Sequence, residues 1–392
     1  MYRSFTTLMA LGMAAAAPFV PRQDAPRKLL IGTPAQIITA DFNGASFTVT
    51  TKSHQPQTAP SWMIYREPNL VYAVNENGAE VNLFTLDENK ANPTLVSTAT
   101  GASGVVSLEF NEEKTRIVGA SFGTGSYDIW DIQQDNSLKL LKNVEIPGPP
   151  APGQETHRAH QALLDPSGRF FVIPNLGGDS IIVVDSESDS YAITNTVDVG
   201  AGSGPRHGDF VSLNGGSQAT HYIVATENSN QLVLFALTYT GATIEFAEVQ
   251  RLSTYGPAFP PKDPSTAAAG ELVIANNGRD VYVSNRLSGN ETDSIAHFAL
   301  MADNTGSPAL HFVDSVSSGG ILPRMFSLGK DAQQEIVFVA NQGGNTGVAA
   351  LKRCPDTGSL TEEPLATLKM EDVIAEEFVG TPNVGPQFIQ EI

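Results

Sequence analysis

Short apolar runs separated by turn residues, and not helical stripes, carry the hydrophobic pattern of this chain. LVYAV (Leu70 to Val74), RFFVIP (Arg169 to Pro174), HYIVAT (His221 to Thr226), DVYVSN (Asp280 to Asn285) and EIVFVAN (Glu335 to Asn341) are rich in β-branched and aromatic residues. Each precedes a Gly, Asn or Ser turn and a second run of the same kind: EVNLFTL, SIIVVDS, QLVLFAL and SIAHFAL among them. That is strand–turn–strand, repeated. An upstream strand opens each unit, with entries at Pro60-Ser61, Gly104-Val105, Ala159-His160, Pro205-Arg206, Gly270-Glu271, Pro323-Arg324 and Pro386-Gln387. The following strand ends at Gly32-Thr33, Asn75-Glu76, Ser121-Phe122, Asn175-Leu176, Glu227-Asn228, Asn285-Arg286 and Asn341-Gln342.

Seven repeats of about 40 to 50 residues and four strands each are the signature of β-propeller blades. The first repeat, at LLIGT (Leu29 to Thr33), lacks an entry strand, and the tail GPQFIQEI (Gly385 to Ile392) is an entry strand with nothing after it. Together they complete one blade and close the ring. The pattern therefore predicts an all-β, seven-bladed β-propeller over 29–392, with a pair of sandwiches or a six-bladed ring as the competing architectures. A high content of turn formers, 35 Gly and 25 Pro in 392 residues, agrees with many short strands.

Charge narrows the function. With 42 acidic and 23 basic residues the formal net charge is -19, so nucleic acid is disfavoured as a partner for want of a phosphate-neutralising face. A small anionic substrate must then be drawn in by a local Arg cluster. The N-terminus, MYRSFTTLMALGMAAAAPF, has a short basic start, an apolar core and small residues at Ala14 to Ala17. It reads as a signal peptide over 1–17, too short for a membrane span, followed by a short segment at 18–28. The expected location is extracellular, with attachment to a cell wall left open. Cys354 is the single cysteine, so no intramolecular disulfide forms. Asn290-Glu291-Thr292 is one glycosylation sequon.

In a propeller, equivalent blade positions are neighbours around the axis. His160, Arg206, Glu271 and Arg324 fall at strand entries, and Glu76, Glu227 and Arg286 at strand exits on the same face. That gathers three of the chain's 13 arginines with one His and three carboxylates around one funnel. A guanidinium fork suits bidentate capture of a carboxylate or phosphate. Each residue also has a plain structural reading: His160 tied to a backbone carbonyl, Arg206 and Arg324 pairing with local carboxylates, Glu227 bonded to turn amides. His207, next to Arg206 on a strand, is expected to point the other way and pack between blades. No metal-binding spacing, P-loop, dinucleotide fingerprint or G-x-S-x-G is present, and no metal or organic cofactor is expected.

AHQALLDPSGRFFVIPNLGGDSI (Ala159 to Ile181), GPRHGDF (Gly204 to Phe210), VATENSNQLVLF (Val224 to Phe235), AAGELVIANNGRDVYVSNR (Ala268 to Arg286), LPRMFSL (Leu322 to Leu328) and the closing GPQFI resemble the seven-bladed propeller lactonases. That family includes bacterial-type 6-phosphogluconolactonase and fungal 3-carboxy-cis,cis-muconate cyclase. The resemblance implies a site of His160, Arg206, Glu227 and Arg286, with Arg324 as a further anion contact. At Val105, where the family often has a polar residue, and at Ser121-Phe122, one side of the funnel is less polar. The expected activity is closing or opening of a lactone on a small carboxylated substrate. Arg206, Arg286 and Arg324 would stabilise developing negative charge, His160 or Glu227 would move the proton, and Glu271 and Glu76 would contact substrate. The alternative is a secreted, non-catalytic propeller that binds extracellular proteins or glycans as an antigen or adhesin.

Overall fold

The computed structural model describes residues 25–392 apart from Asn214 and Ala258, so the leader-like segment at 1–17 lies outside the described residues. Seven four-stranded antiparallel sheets form a ring. Their innermost strands are Phe388–Glu391 (blade 1), Met63–Arg66 (blade 2), Val105–Phe110 (blade 3), Leu163–Leu164 (blade 4), Pro205–Val211 (blade 5), Ala268–Ile274 (blade 6) and Ile321–Leu328 (blade 7). Strand order within each sheet follows chain order, except that blade 1 begins with the C-terminal strand. The first N-terminal strand starts at Arg27, two residues before the apolar run LLIGT begins. Among the described residues the helical segments are three-residue 3-10 turns, and no helix is long and apolar enough to cross a membrane.

The hydrophobic pattern follows from where each strand sits. The second strands, such as Phe170–Asn175 and Asp280–Arg286, are buried at every position because a neighbouring blade covers each face. The outermost strands alternate, as in Phe47–His54, where half-buried and exposed residues take turns. The core is accordingly divided among the interfaces between blades. Ile223 and Leu234 of blade 5 pack with Val281 and Phe298 of blade 6. Phe338 and Val348 of blade 7 pack with Ile31 and Phe42 of blade 1, the two Phe rings meeting edge-on at 5.4 Å. Fully burying one such side chain contributes about 1.5–3 kcal/mol.

Closure works as the ends of the chain suggest. Phe388–Glu391 pairs antiparallel with Arg27–Thr33, from Leu29 opposite Glu391 to Gly32 opposite Phe388. Phe388 and Ile389 are 1% and 0% exposed, and the Arg27 guanidinium holds Glu391 at 3.0 Å. Blades 6 and 7 share a second buried polar contact. Arg353 of blade 7 donates to Asp280 and, at 2.7 Å, to the Tyr282 hydroxyl, while His297 stacks on the Tyr282 ring at 4.8 Å.

Candidate functional site

A repeated irregularity in the innermost strands builds the funnel. In blade 5 the ladder steps from Pro205 opposite Thr226 to His207 opposite Ala225, leaving Arg206 without a partner residue. The same bulge leaves out Val106 in blade 3, Gly270 and Glu271 in blade 6, and Arg324 in blade 7. A bulge bends the strand and re-aims its extra residue, here toward the axis. In blade 4 His160 takes the equivalent place, because Ala159 bridges Asn175 and the His160 amide donates to the Pro174 carbonyl. Ser61, Val106, His160, Arg206, Glu271, Arg324 and Gln387 thus line one small cavity with one residue from each blade.

Two expectations change here. The apolar position of blade 3 is Val106 and not Val105, which pairs with Ser121 inside the ladder. His207 does not pack away from the funnel between blades. Its ring lies 4.9 Å from His160 and 5.6 Å from Trp62, on blade 2 across the axis. The bulge at Arg206 breaks the strict alternation of sides, so two successive side chains reach the channel. Trp62, whose indole N–H donates to the Leu108 carbonyl at 3.1 Å, and His207 together plug the channel beneath the cavity.

The predicted site residues separate into two layers. His160, Arg206 and Glu271 are buried, at 6%, 2% and 3% exposure. The side chains of Glu76, Glu227, Arg286 and Arg324 form a partly exposed rim. At the rim Glu227 Oε2 receives Arg286 Nη2 at 2.7 Å and stands 2.8 Å from Arg206 Nε. The Arg286 contact is an aligned hydrogen bond, whereas Arg206 Nε approaches without hydrogen-bond alignment and is an ion pair only. Arg286 also donates to the Ala269 carbonyl at 2.8 Å. Across the funnel Arg324 Nη2 donates to Glu76 Oε2 at 2.6 Å. In the buried layer His207 Nδ1 is 3.0 Å from Glu271 Oε1.

Electrostatics assign protonation. Burial would raise Glu227, but Arg286 and Arg206 outweigh it and hold its carboxyl below the ordinary range. Glu76 is likewise held down, Arg324 overcoming the effect of burial. Burial pulls His160 well below its ordinary value, and Arg206, His207 and Arg324 add to this, so its imidazole is neutral at pH 7. Burial also lowers His207, against the pull of Glu271. Burial and then Arg286 bring Arg206 down to about 9, with Glu227 opposing, which leaves the guanidinium cationic at neutral pH. Three guanidiniums therefore face three carboxylates, and the funnel has no formal surplus of positive charge.

Residues beyond the sequence-based set also belong to this face. Arg158 lies over the Phe122 ring at 4.5 Å, and Phe122 meets His160 edge-on at 5.6 Å. Among the described residues Arg158 makes no ion pair, unlike Arg206, Arg286 and Arg324. Its position two residues before the His160 strand entry is the signal that points to it. Asn290 stands apart in a loop, its side-chain amide donating to the Pro260 carbonyl at 3.0 Å. Among the described residues no three His, Cys, Asp or Glu side chains are grouped as metal ligands. A wider hollow of about 450 Å³ opens at the opposite ends of blades 3 and 4, where Arg116–Asp189 and Arg169–Asp185 ion pairs match its charges.

Comparison with known proteins agrees with this architecture. Residues 28–371 match the family described as "Lactonase, 7-bladed beta-propeller". A protein of Arthroderma benhamiae named as a probable 6-phosphogluconolactonase is 26% identical over 349 residues, covering 85% of this chain and 83% of that one. The crystal structure of the Pseudomonas aeruginosa periplasmic gluconolactonase superposes with a TM-score of 0.74 at 22% identity, covering 94% and 99% of the two chains. A Lactobacillus plantarum protein superposes at 0.70 with 20% identity, over 88% and 99%. At those identities the structural matches establish the fold alone. The family match spans most of the chain and all seven blades contribute to the cavity, so this protein is a member of the seven-bladed β-propeller lactonase family.

Proposed function

We propose that this protein is a lactone hydrolase that opens the ring of a sugar-acid lactone at the rim of the propeller funnel. The observation that carries the reading is the convergence of Arg206 and Arg286 on one carboxylate, with Arg324 paired to Glu76 across from them. Attack of water on a lactone carbonyl turns that oxygen into an oxyanion. Guanidinium N–H groups already fixed in place stabilise the new charge without reorganising, and loss of one such donor typically costs about 10²–10³ in kcat. Arg286, held by both Glu227 and the Ala269 carbonyl, is immobilised for that task. Collapse of the tetrahedral intermediate breaks the ring C–O bond and yields the hydroxy acid. Groups of this chain handle every charge and proton in that sequence.

The charge balance supports an uncharged or singly charged lactone over a dianion. Three carboxylates already offset the three funnel guanidiniums, and Arg158 is the remaining cation at the rim. The names of the relatives, a probable 6-phosphogluconolactonase and a gluconolactonase, point to aldonolactones as the first compounds to try. On the reading of residues 1–17 as a leader, the enzyme acts outside the cell and Asn290 is open to glycosylation. Fractionation of a culture with antibody detection checks the location.

The test of the activity is hydrolysis of a panel of γ- and δ-lactones, with and without a phosphate or carboxylate substituent, followed by proton release. Saturable turnover by the wild type that falls at least a hundredfold in Arg286→Ala supports the reading. Absence of turnover across the panel, or equal turnover in the variant, refutes it and leaves the funnel as a binding surface.

A further inference from the structure

The cavity beneath the rim has its own chemistry. It offers about 10 Å³ to the centre of a water-sized sphere, which is room for one water and too little for a sugar ring. Four polar atoms of its lining have no hydrogen-bond partner in the protein: Glu271 Oε2, Arg206 Nη1, His160 Nδ1 and Gln387 Oε1. Each belongs to a residue at most 9% exposed, where an unsatisfied polar group is costly. Between them they include one strong cationic donor and one strong anionic acceptor, a complementary set for a water that accepts from Arg206 and donates to Glu271.

The three carboxylates of the funnel differ in what holds them. Glu227 and Glu76 are clamped by guanidinium groups at 2.6–2.8 Å and partly exposed, which suppresses their basicity. Glu271 makes its ion-pair contact with an imidazole instead, through Oε1, and keeps Oε2 for the cavity. His207 is itself gripped between His160 and Trp62. With its proton on Nδ1 it orients the carboxylate while remaining uncharged.

We infer that this cavity is a water site, that Glu271 is the base that activates the water, and that His207 is the residue that positions Glu271. The assignment rests on the lactone-hydrolase reading given above and adds the nucleophile's place and direction to it. Water attacks from the channel side while the lactone lies across the rim. As the water oxygen bonds to the carbonyl carbon, its proton passes to Glu271 Oε2 and the carbonyl electrons move onto oxygen, opposite the guanidiniums. When the intermediate collapses the ring C–O bond breaks, and the ring oxygen takes a proton from Glu271 or from water at the mouth. One water is consumed, nothing is oxidised or reduced, and Glu271 is regenerated.

The groups facing Glu271 are His207, Arg206 and Asp209 of blade 5, with His160 and Arg324 around the cavity. None of the other carboxylates at the cavity wall can replace it, because Glu271 is the one acid that lines the cavity among the described residues. The experiment is the kcat–pH profile for hydrolysis of δ-gluconolactone, an uncharged probe, by wild type, Glu271→Gln, Glu271→Asp and His207→Gln. Glu271→Gln is expected to lower kcat by about 10²–10⁴, to leave KM within a few-fold, and to lose the acid limb of the profile. Glu271→Asp keeps the acid limb at reduced kcat, and His207→Gln lowers kcat and moves that limb without changing KM. Circular dichroism and melting establish that each variant is folded; should Glu271→Gln fail to fold, Glu271→Asp with His207→Gln carries the same test. A folded Glu271→Gln with wild-type kcat and an intact acid limb overturns the inference and leaves the lactonase reading standing. A wild type that opens no lactone overturns both.

Discussion

Arg206 and Arg353 are both 2% exposed, yet replacing each by Met should move stability in opposite directions. Arg353 is fully engaged: it donates to Asp280, to Tyr282 Oη at 2.7 Å and to the Gln333 carbonyl at 2.9 Å. Removing one partner of such a buried pair costs about 3–5 kcal/mol. Arg206 has one ion-pair contact, shares it with Arg286, leaves Nη1 unpartnered and is repelled by Arg286 and Arg324. Glu227 stays paired to Arg286 at 2.7 Å when Arg206 is lost. An apolar residue of similar volume is then neutral or stabilising, by up to about 1–4 kcal/mol. Unfolding entropy of about 2.1 cal/mol/K per residue gives roughly 0.8 kcal/mol/K for 392 residues. Arg353→Met should therefore lower Tm by about 4–6 °C, and Arg206→Met should leave it unchanged or raise it by up to about 5 °C. On the lactone-hydrolase reading Arg206→Met also lowers kcat by about 10²–10³. Differential scanning calorimetry and initial-rate assays on the same preparations measure both. A Tm drop in Arg206→Met comparable to that of Arg353→Met would refute the reasoning, since the guanidinium would then be a structural anchor.

Arg158→Gln should raise KM for a phosphorylated or carboxylated lactone by about tenfold and leave KM for the uncharged one unchanged, because Arg158 is the rim cation without a carboxylate partner; equal effects on both substrates contradict this. Truncation before Pro386 removes the strand that pairs with Arg27–Thr33. It exposes the surface covered by Phe388 and Ile389, a loss of about 3–6 kcal/mol, large against a typical stability of 5–15 kcal/mol. The truncated chain should be recovered mainly as aggregate, and a soluble chain with unchanged Tm contradicts the closure. His297 is pulled down by burial, but Asp280 and Asp314 outweigh this and raise its pKa. Its contribution to stability is then fully present below about pH 6.5 and is lost as pH rises through the raised, folded-state value. Tm measured across that range should fall in wild type and flatten in His297→Gln; parallel curves for the two proteins would exclude the linkage.

The chain's own pattern determined the architecture because blade packing depends on features that are local in sequence. Strands covered on both faces need continuous apolar runs, outer strands need alternation, and turns need Gly and Asn, so seven units and the orphan GPQFI tail were visible without coordinates. The same logic brought His160, Arg206, Glu271 and Arg324 to one ring, and Glu76, Glu227 and Arg286 to the rim above it. What the tertiary structure alone decided is direction and partnership. A bulge inserts one residue in a strand without an unmistakable sequence mark, and it moved the blade 3 position from Val105 to Val106 and turned His207 toward the axis. Trp62 meets His207, and Arg324 meets Glu76, only because blades far apart in sequence face each other across the channel. Ion pairing is set by ångström distances between such residues. Residue spacing therefore placed the charges at the funnel, and the closed ring decided which of them are neutralised, which are buried, and which one keeps an oxygen for water.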